Sequence, residues 1–112
     1  HIVGDRVLQA AVRATRQVLR DGDVLVRYGG EEFLVILPGA GRRDLTNMAE
    51  RIRRSVSEVE ISTGANRLSI TVSIGGAGLP EQVVRDPVEL IGIADQALYT
   101  AKATGRDRCV IA

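Results

Sequence analysis

Apolar residues recur at helical spacing in three stretches of this chain and at strand spacing in four others. The first stretch predicts a helix from about Gly4 to Leu19. Val7, Leu8, Ala11, Val12, Val18 and Leu19 share one side, and Arg13, Arg16 and Gln17 lie on the other. Arg20-Asp21-Gly22-Asp23 ends it, because Gly22 between two aspartates favours a turn. Two strand-like runs follow, Val24–Tyr28 and Phe33–Leu37. Gly29-Gly30-Glu31-Glu32 between them reads as a hairpin, and Pro38-Gly39 closes the second run.

A second helix is expected over Asp44 to Ser57, with Leu45, Met48, Ala49, Ile52 and Val56 on one face. Ser57 to Arg67 is polar and has no period, which predicts a surface loop. Leu68 to Gly75 alternates around Ile70, Val72 and Ile74, as a strand does. The third helix starts at a local signal: Asp86 as N-cap, Pro87 at the first helical position and Glu89 placed for a capping box. Leu90, Ile91, Ala94, Ala97, Leu98 and Ala101 form its apolar face. Gly105 ends it, and Cys109 to Ala112 is a last short strand.

Helices and strands in this order fit one α/β domain, with helices flanking a mainly antiparallel sheet. No strand precedes the first helix to lie beside the hairpin, and the chain does not open on Met. Both features lead to the expectation of a piece of a longer protein. The length, 112 residues, suits a single domain over 1–112.

Charge and composition then narrow the function. Fifteen Lys plus Arg oppose 14 Asp plus Glu, so a binder of nucleic-acid polymers, which needs a basic excess, is not expected. Tyr28, Phe33 and Tyr99 are the three aromatics, too few for base-stacking platforms. Cys109 has no second cysteine to pair with, and its apolar neighbours suggest a small buried residue. No apolar run approaches membrane-spanning length and no signal peptide is visible, which makes a reducing cytoplasmic setting the expectation.

Three places could carry chemistry. In Tyr28-Gly-Gly-Glu-Glu-Phe33 the glycines let backbone approach a phosphate or ribose closely. Adjacent carboxylates at a turn point apart, so one faces a cleft while the other anchors to the scaffold. A carboxylate beside a phosphate nest suits Mg²⁺. A hairpin with solvated acids has the same pattern. Lys102 and Arg106, four apart across a helix end, could meet one polyphosphate or simply complement the macrodipole. Arg20 and Asp23 on a turn could hold a guanine edge and a phosphate, or form a plain surface ion pair. His1, at the terminus, is read as a disordered end.

Taken together, Tyr28-Gly-Gly-Glu-Glu-Phe33, Thr71-Val-Ser-Ile-Gly75 and Ala94-Asp-Gln-Ala-Leu-Tyr-Thr-Ala-Lys-Ala-Thr-Gly-Arg106 resemble the GGDEF domain of the diguanylate cyclases, in its GGEEF form. The resemblance runs over nearly the whole chain. It implies an α+β fold, a ferredoxin-like antiparallel sheet similar to the palm of nucleotide cyclases and polymerases. The implied reaction condenses two GTP into cyclic di-GMP with release of pyrophosphate, across a homodimer in which each domain holds one GTP. Mg²⁺ (or Mn²⁺) is the implied cofactor. Glu31 would be the metal ligand and would help activate the 3′-hydroxyl. Gly29 and Gly30 would let the nucleotide lie against the hairpin. Asp5, in His1-Ile-Val-Gly-Asp5, would contact guanine, and Lys102 and Arg106 would bind the β and γ phosphates. Glu32 would have a supporting role. Arg20 and Asp23 match an RxxD inhibitory site for cyclic di-GMP, and Arg51 corresponds to a residue that completes this site from a neighbouring domain.

The family also carries an Asp metal ligand on a first strand and a guanine-reading Asn on the following helix, and both would precede His1. Without that strand, Phe33 to Leu37 is expected to be an unpaired edge. Asp107 stands where the family often has Asn, with no consequence expected. Family members usually carry an upstream sensor or receiver domain. The alternative to a cyclase is a catalytically incompetent fragment that binds cyclic di-GMP or GTP as a regulatory module.

Overall fold

The computed structural model describes residues 2–112, with side chains described from residue 4 onward; His1 lies outside the described residues. Helix α1 (Ile2–Val18) leads into the hairpin β1 (Val24–Arg27) and β2 (Phe33–Ile36), followed by α2 (Arg42–Ser57). A second hairpin, β3 (Glu60–Thr63) and β4 (Asn66–Ser69), comes next. The chain ends with β5 (Ile74–Gly76), α3 (Pro87–Ala103) and β6 (Cys109–Ile111).

The mixed α/β class is as expected, but the strands form three two-stranded ladders. β1 and β2 are antiparallel, with Val24 opposite Ile36 and Arg27 opposite Phe33. β3 and β4 are antiparallel, with Ile61 opposite Leu68. β5 and β6 are parallel, Ile74 beside Cys109.

The expected surface loop over 57–67 is corrected by the β3–β4 hairpin. Gly64, at φ 66°, supplies the positive first turn position that a two-residue hairpin loop needs. Ile61 is the hairpin's one buried residue, so its strands carry almost no apolar alternation. The single strand expected over Leu68–Gly75 is corrected too. Leu68 and Ser69 belong to β4, residues 70–73 have no ladder partner, and pairing resumes at Ile74. Ile70, Val72 and Ile74 nevertheless pack against the core, so the alternation reported their side-chain facing correctly.

The core lies between α1 and α2. Ala14, Met48, Ile52 and Val56 form its buried centre, and Val35, Leu37, Ile70, Val72 and Ile74 cover it from the strand side. Ala14, almost fully buried, gives α1 a low profile where α2 approaches, and the Ser55 hydroxyl donates to the Ala14 carbonyl at 2.9 Å. α3 starts as its sequence predicts: the Asp86 carboxylate accepts from the Glu89 amide at 2.9 Å, with Pro87 following the cap. The return arm of the capping box shifts by one residue, since Glu89 accepts from the Arg85 amide and guanidinium. Gly75 lets α3 settle directly on β5. A Cβ there would lie 2.6 Å from Leu98 Cα, with backbone atoms of Ala94 and Leu98 closer still.

Candidate functional site

A cavity of about 610 Å³ opens between the β1–β2 hairpin and the β5–α3 unit. Its floor is apolar, from Val12, Leu45, Ala49 and Ile52. One wall is Phe33, Leu34, Val35 and Leu37; the facing wall runs from Thr71 to Ala77. Among the described residues neither β2 nor β5 has a second ladder partner, so two strand edges line one slot. The rim is charged: Glu31 and Glu32 from the hairpin, Lys102 and Arg106 from the end of α3.

The hairpin is closed by backbone. The Glu32 carbonyl accepts from the Tyr28 amide at 2.9 Å and the Gly29 amide at 3.1 Å. Arg27 braces the turn from outside, with Nε donating to the Gly29 carbonyl at 3.3 Å and Nη2 to the Gly30 carbonyl at 2.5 Å. A Cβ at Gly30 would meet nothing within 4 Å, so that face of the turn is open to a ligand. The two carboxylates differ in engagement. Glu32 Oε1 stands 3.9 Å from Lys102 Nζ, while the exposed Glu31 side chain has no hydrogen-bond or ion-pair partner among the described residues.

Lys102 lies in the last turn of α3, where Thr104 caps the helix through Thr100 and Gly105 reverses the chain. The Arg106 amide donates to the Ala101 carbonyl at 2.9 Å, a Schellman closure. Arg106 itself takes φ 60°, and its side chain reaches the cavity rim.

Other expected site residues lie elsewhere. Asp5 sits exposed in the first turn of α1 and is not among the cavity-lining residues. Arg20 and Asp23 form a self-contained turn: Asp23 accepts from the Arg20 amide at 2.8 Å, and its own amide donates to the Arg20 carbonyl at 3.0 Å. Asp23 is almost buried, with 4% of its side chain exposed, whereas the Arg20 guanidinium projects outward with 54% exposed. Arg51 stands exposed on α2.

A polar cluster behind the α3 end escaped the sequence reading. Arg53 forks onto Glu50, at 3.0 and 2.5 Å, and reaches Asp107 at 2.9 Å. The Cys109 thiol faces Glu50 at 3.7 Å. The Arg53 hydrogen bonds hold the Glu50 carboxyl at about 2, and they raise Arg53 in turn. Burial, reinforced by the Glu50 charge, pushes the Cys109 thiol up to about 11, so it is a neutral packing group at ordinary pH.

Among the described residues no cluster of three or more His, Cys, Asp or Glu is placed to hold a metal. Mg²⁺, however, is commonly held by one or two carboxylates plus substrate phosphates. Glu31, without a partner among the described residues and sharing a rim with two cations, fits that mode, with a substrate's phosphates supplying the remaining oxygens. No helix of the described residues is long and apolar enough to cross a membrane.

The chain matches the family described as Diguanylate cyclase, GGDEF domain, over residues 1–108. It is 42% identical over 109 residues to the protein YhcK of Bacillus subtilis, which covers 96% of this chain and 30% of that protein. It is 36% identical over 109 residues to diguanylate cyclase VdcA of Vibrio cholerae, covering 96% and 32%. Its fold superimposes with a TM-score of 0.93 on the diguanylate cyclase SiaD of Pseudomonas aeruginosa, solved with its activator SiaC. The identity there is 39%, over 100% of this chain and 42% of that one. The chain thus spans under a third of the length of these two curated relatives.

Proposed function

The chain belongs to the family of GGDEF-domain diguanylate cyclases, and on that premise we propose that it is the nucleotide-binding body of an enzyme condensing two GTP into cyclic di-GMP. One observation carries this reading: Glu31, Glu32, Lys102 and Arg106, from two distant stretches of sequence, converge on the rim of one cavity.

The rim divides the work. Lys102 and Arg106 offer two cations at one helix end, suited to the β and γ phosphates of GTP. Gly29 and Gly30 leave the hairpin backbone open to the nucleotide. Mg²⁺ (or Mn²⁺), when bound, neutralises phosphate charge and polarises the reacting oxygens. Glu31 would hold it and Glu32 would keep Lys102 in place. Asp5 would reach guanine from α1. The 3′-hydroxyl of one GTP attacks the α-phosphate of the other, forming a P–O bond as pyrophosphate leaves and the hydroxyl proton passes to a carboxylate or water. Two such steps close the ring, so two copies of the domain must face each other.

The slot between β2 and residues 71–76 suits one further strand. In the family that strand carries an Asp, which would supply a second carboxylate. An upstream sensor or receiver domain would govern how two copies meet. Product inhibition fits the Arg20–Asp23 turn, with Asp23 holding the turn rigid, Arg20 projecting to contact cyclic di-GMP and Arg51 of a neighbouring domain completing the site.

The test is GTP turnover with Mg²⁺ by the full-length protein, read as cyclic di-GMP by mass spectrometry. Glu31→Gln should remove product while leaving the melting temperature within a degree or two. Undiminished product from Glu31→Gln would refute the assignment of Glu31, and Arg20→Ala should relieve inhibition by added cyclic di-GMP.

A further inference from the structure

The turn that presents Arg106 is held in an unfavourable backbone conformation from behind. Gly105, Arg106 and Asp107 take φ of 135°, 60° and 45° in succession. Glycine accepts such values freely and aspartate tolerates them better than most, but at each non-glycine residue there the Cβ crowds the following carbonyl. Backbone anchors fix the ends of the turn: the Arg106 amide on the Ala101 carbonyl, and the Arg108 carbonyl accepting from the Ile74 amide at 2.9 Å. Between them the Asp107 carboxylate receives Arg53 Nη1 at 2.9 Å, from a residue 54 positions earlier on α2.

An exposed ion pair would ordinarily contribute little. Here Arg53 is already oriented by its fork onto Glu50, and only 21% of its side chain is exposed. It therefore meets Asp107 as a pre-set donor, with little side-chain freedom left to lose. α2 is stitched to β6 nearby as well, through the Cys109 thiol on Glu50 and through Arg42 on the Ile111 carbonyl at 3.2 Å.

We propose that Arg53 is a positioning residue for the triphosphate end of the substrate, acting through Asp107 to hold the left-handed turn that directs Arg106 to the cavity rim. This rests on the reading of the rim as a GTP site. If the clamp is lost, residues 106 and 107 are free to leave the left-handed region, and Arg106 leaves the phosphates while the hairpin side of the site is untouched. The signature is selective: affinity for GTP falls, and affinity for GMP, which lacks the β and γ phosphates, does not.

The experiment measures KM and kcat for GTP, and equilibrium binding of GTP and GMP, in the full-length protein and four variants. Asp107→Ala and Arg53→Lys should each raise KM roughly tenfold, the loss of about one charge-assisted phosphate contact, with kcat within about twofold. Asp107→Asn, which keeps an acceptor and tolerates the turn, should restore most of the affinity. Asp107→Gly, which relieves the backbone without a carboxylate, should not. Unmoved KM in Asp107→Ala and Arg53→Lys would overturn the clamp, as would full recovery in Asp107→Gly or an equal loss of GTP and GMP affinity. Failure of the unaltered protein to bind or turn over GTP would overturn the functional reading, and this role of Arg53 with it.

Discussion

Gly75→Ala is the substitution with the most direct route from backbone geometry to function. The added methyl would lie 2.6 Å from Leu98 Cα and closer to two other main-chain atoms of α3. Since carbon atoms settle at about 3.5–4.0 Å, α3 has to retreat from β5 by roughly 1 Å. None of the three opposing atoms belongs to a side chain, so no rotamer change absorbs the clash. Overpacking of this kind costs about 3 kcal/mol, at the upper end of the usual range, or a melting temperature lower by roughly 12–20 °C. Lys102 stands one turn beyond Leu98 on the same helix, so the retreat carries both proposed phosphate cations with it, and a misplacement of about 1 Å in substrate-positioning groups lowers kcat/KM by about a hundredfold. Thermal melting and cyclic di-GMP production, measured beside Gly92→Ala, provide the assay. Gly92 lies inside α3 with nothing within 4 Å of a built Cβ, so its replacement should stabilise the helix by about 0.5–1 kcal/mol. A Gly75→Ala protein that melts and turns over like the unaltered one would refute the backbone-on-backbone account of α3.

Other consequences are simpler to state. Cys109 has its thiol raised from 9.0 to about 11, so the folded state holds that proton more tightly than the unfolded chain. Stability should therefore be complete below pH 9 and fall as pH rises towards 11, and Cys109→Ala should flatten that decline in melting experiments. Glu50 is depressed from 4.5 to about 2, so its contribution is present above pH 4.5 and is lost as pH falls towards 2. Glu50→Gln should make acid unfolding less steep between those values. Asp86→Ala removes the carboxylate that caps α3 and should cost about 1 kcal/mol in chemical denaturation.

What was legible in the sequence follows from how local each determinant is. The start of α3 is written in four adjacent residues, and Asp86, Pro87 and Glu89 act within one helical turn. The β3–β4 hairpin rests on one cross-strand apolar pair, Ile61 with Leu68, so its alternation could not rise above a polar background. Alternation at Ile70, Val72 and Ile74 correctly reported which side chains face the core, but a ladder is a property of two chains, and residues 70–73 line an edge without a partner. The carboxylates of the hairpin and the cations of α3 were each visible as patterns with a plain structural alternative. What the sequence could not show is that they share one rim, because Glu32 and Lys102 lie 70 positions apart in sequence and 3.9 Å apart in space. Arg53 and Asp107 are the harder case. Neither belongs to a spacing pattern, and the left-handed turn between them is announced only by Gly105, since Arg106 and Asp107 have no intrinsic need for it. Their pairing exists because α2 packs against β6 as well as α3 does, which brings Arg53 beside the turn that joins α3 to β6. The residues that would touch substrate are thus written as short motifs, whereas those that hold them in place are set by packing across the fold.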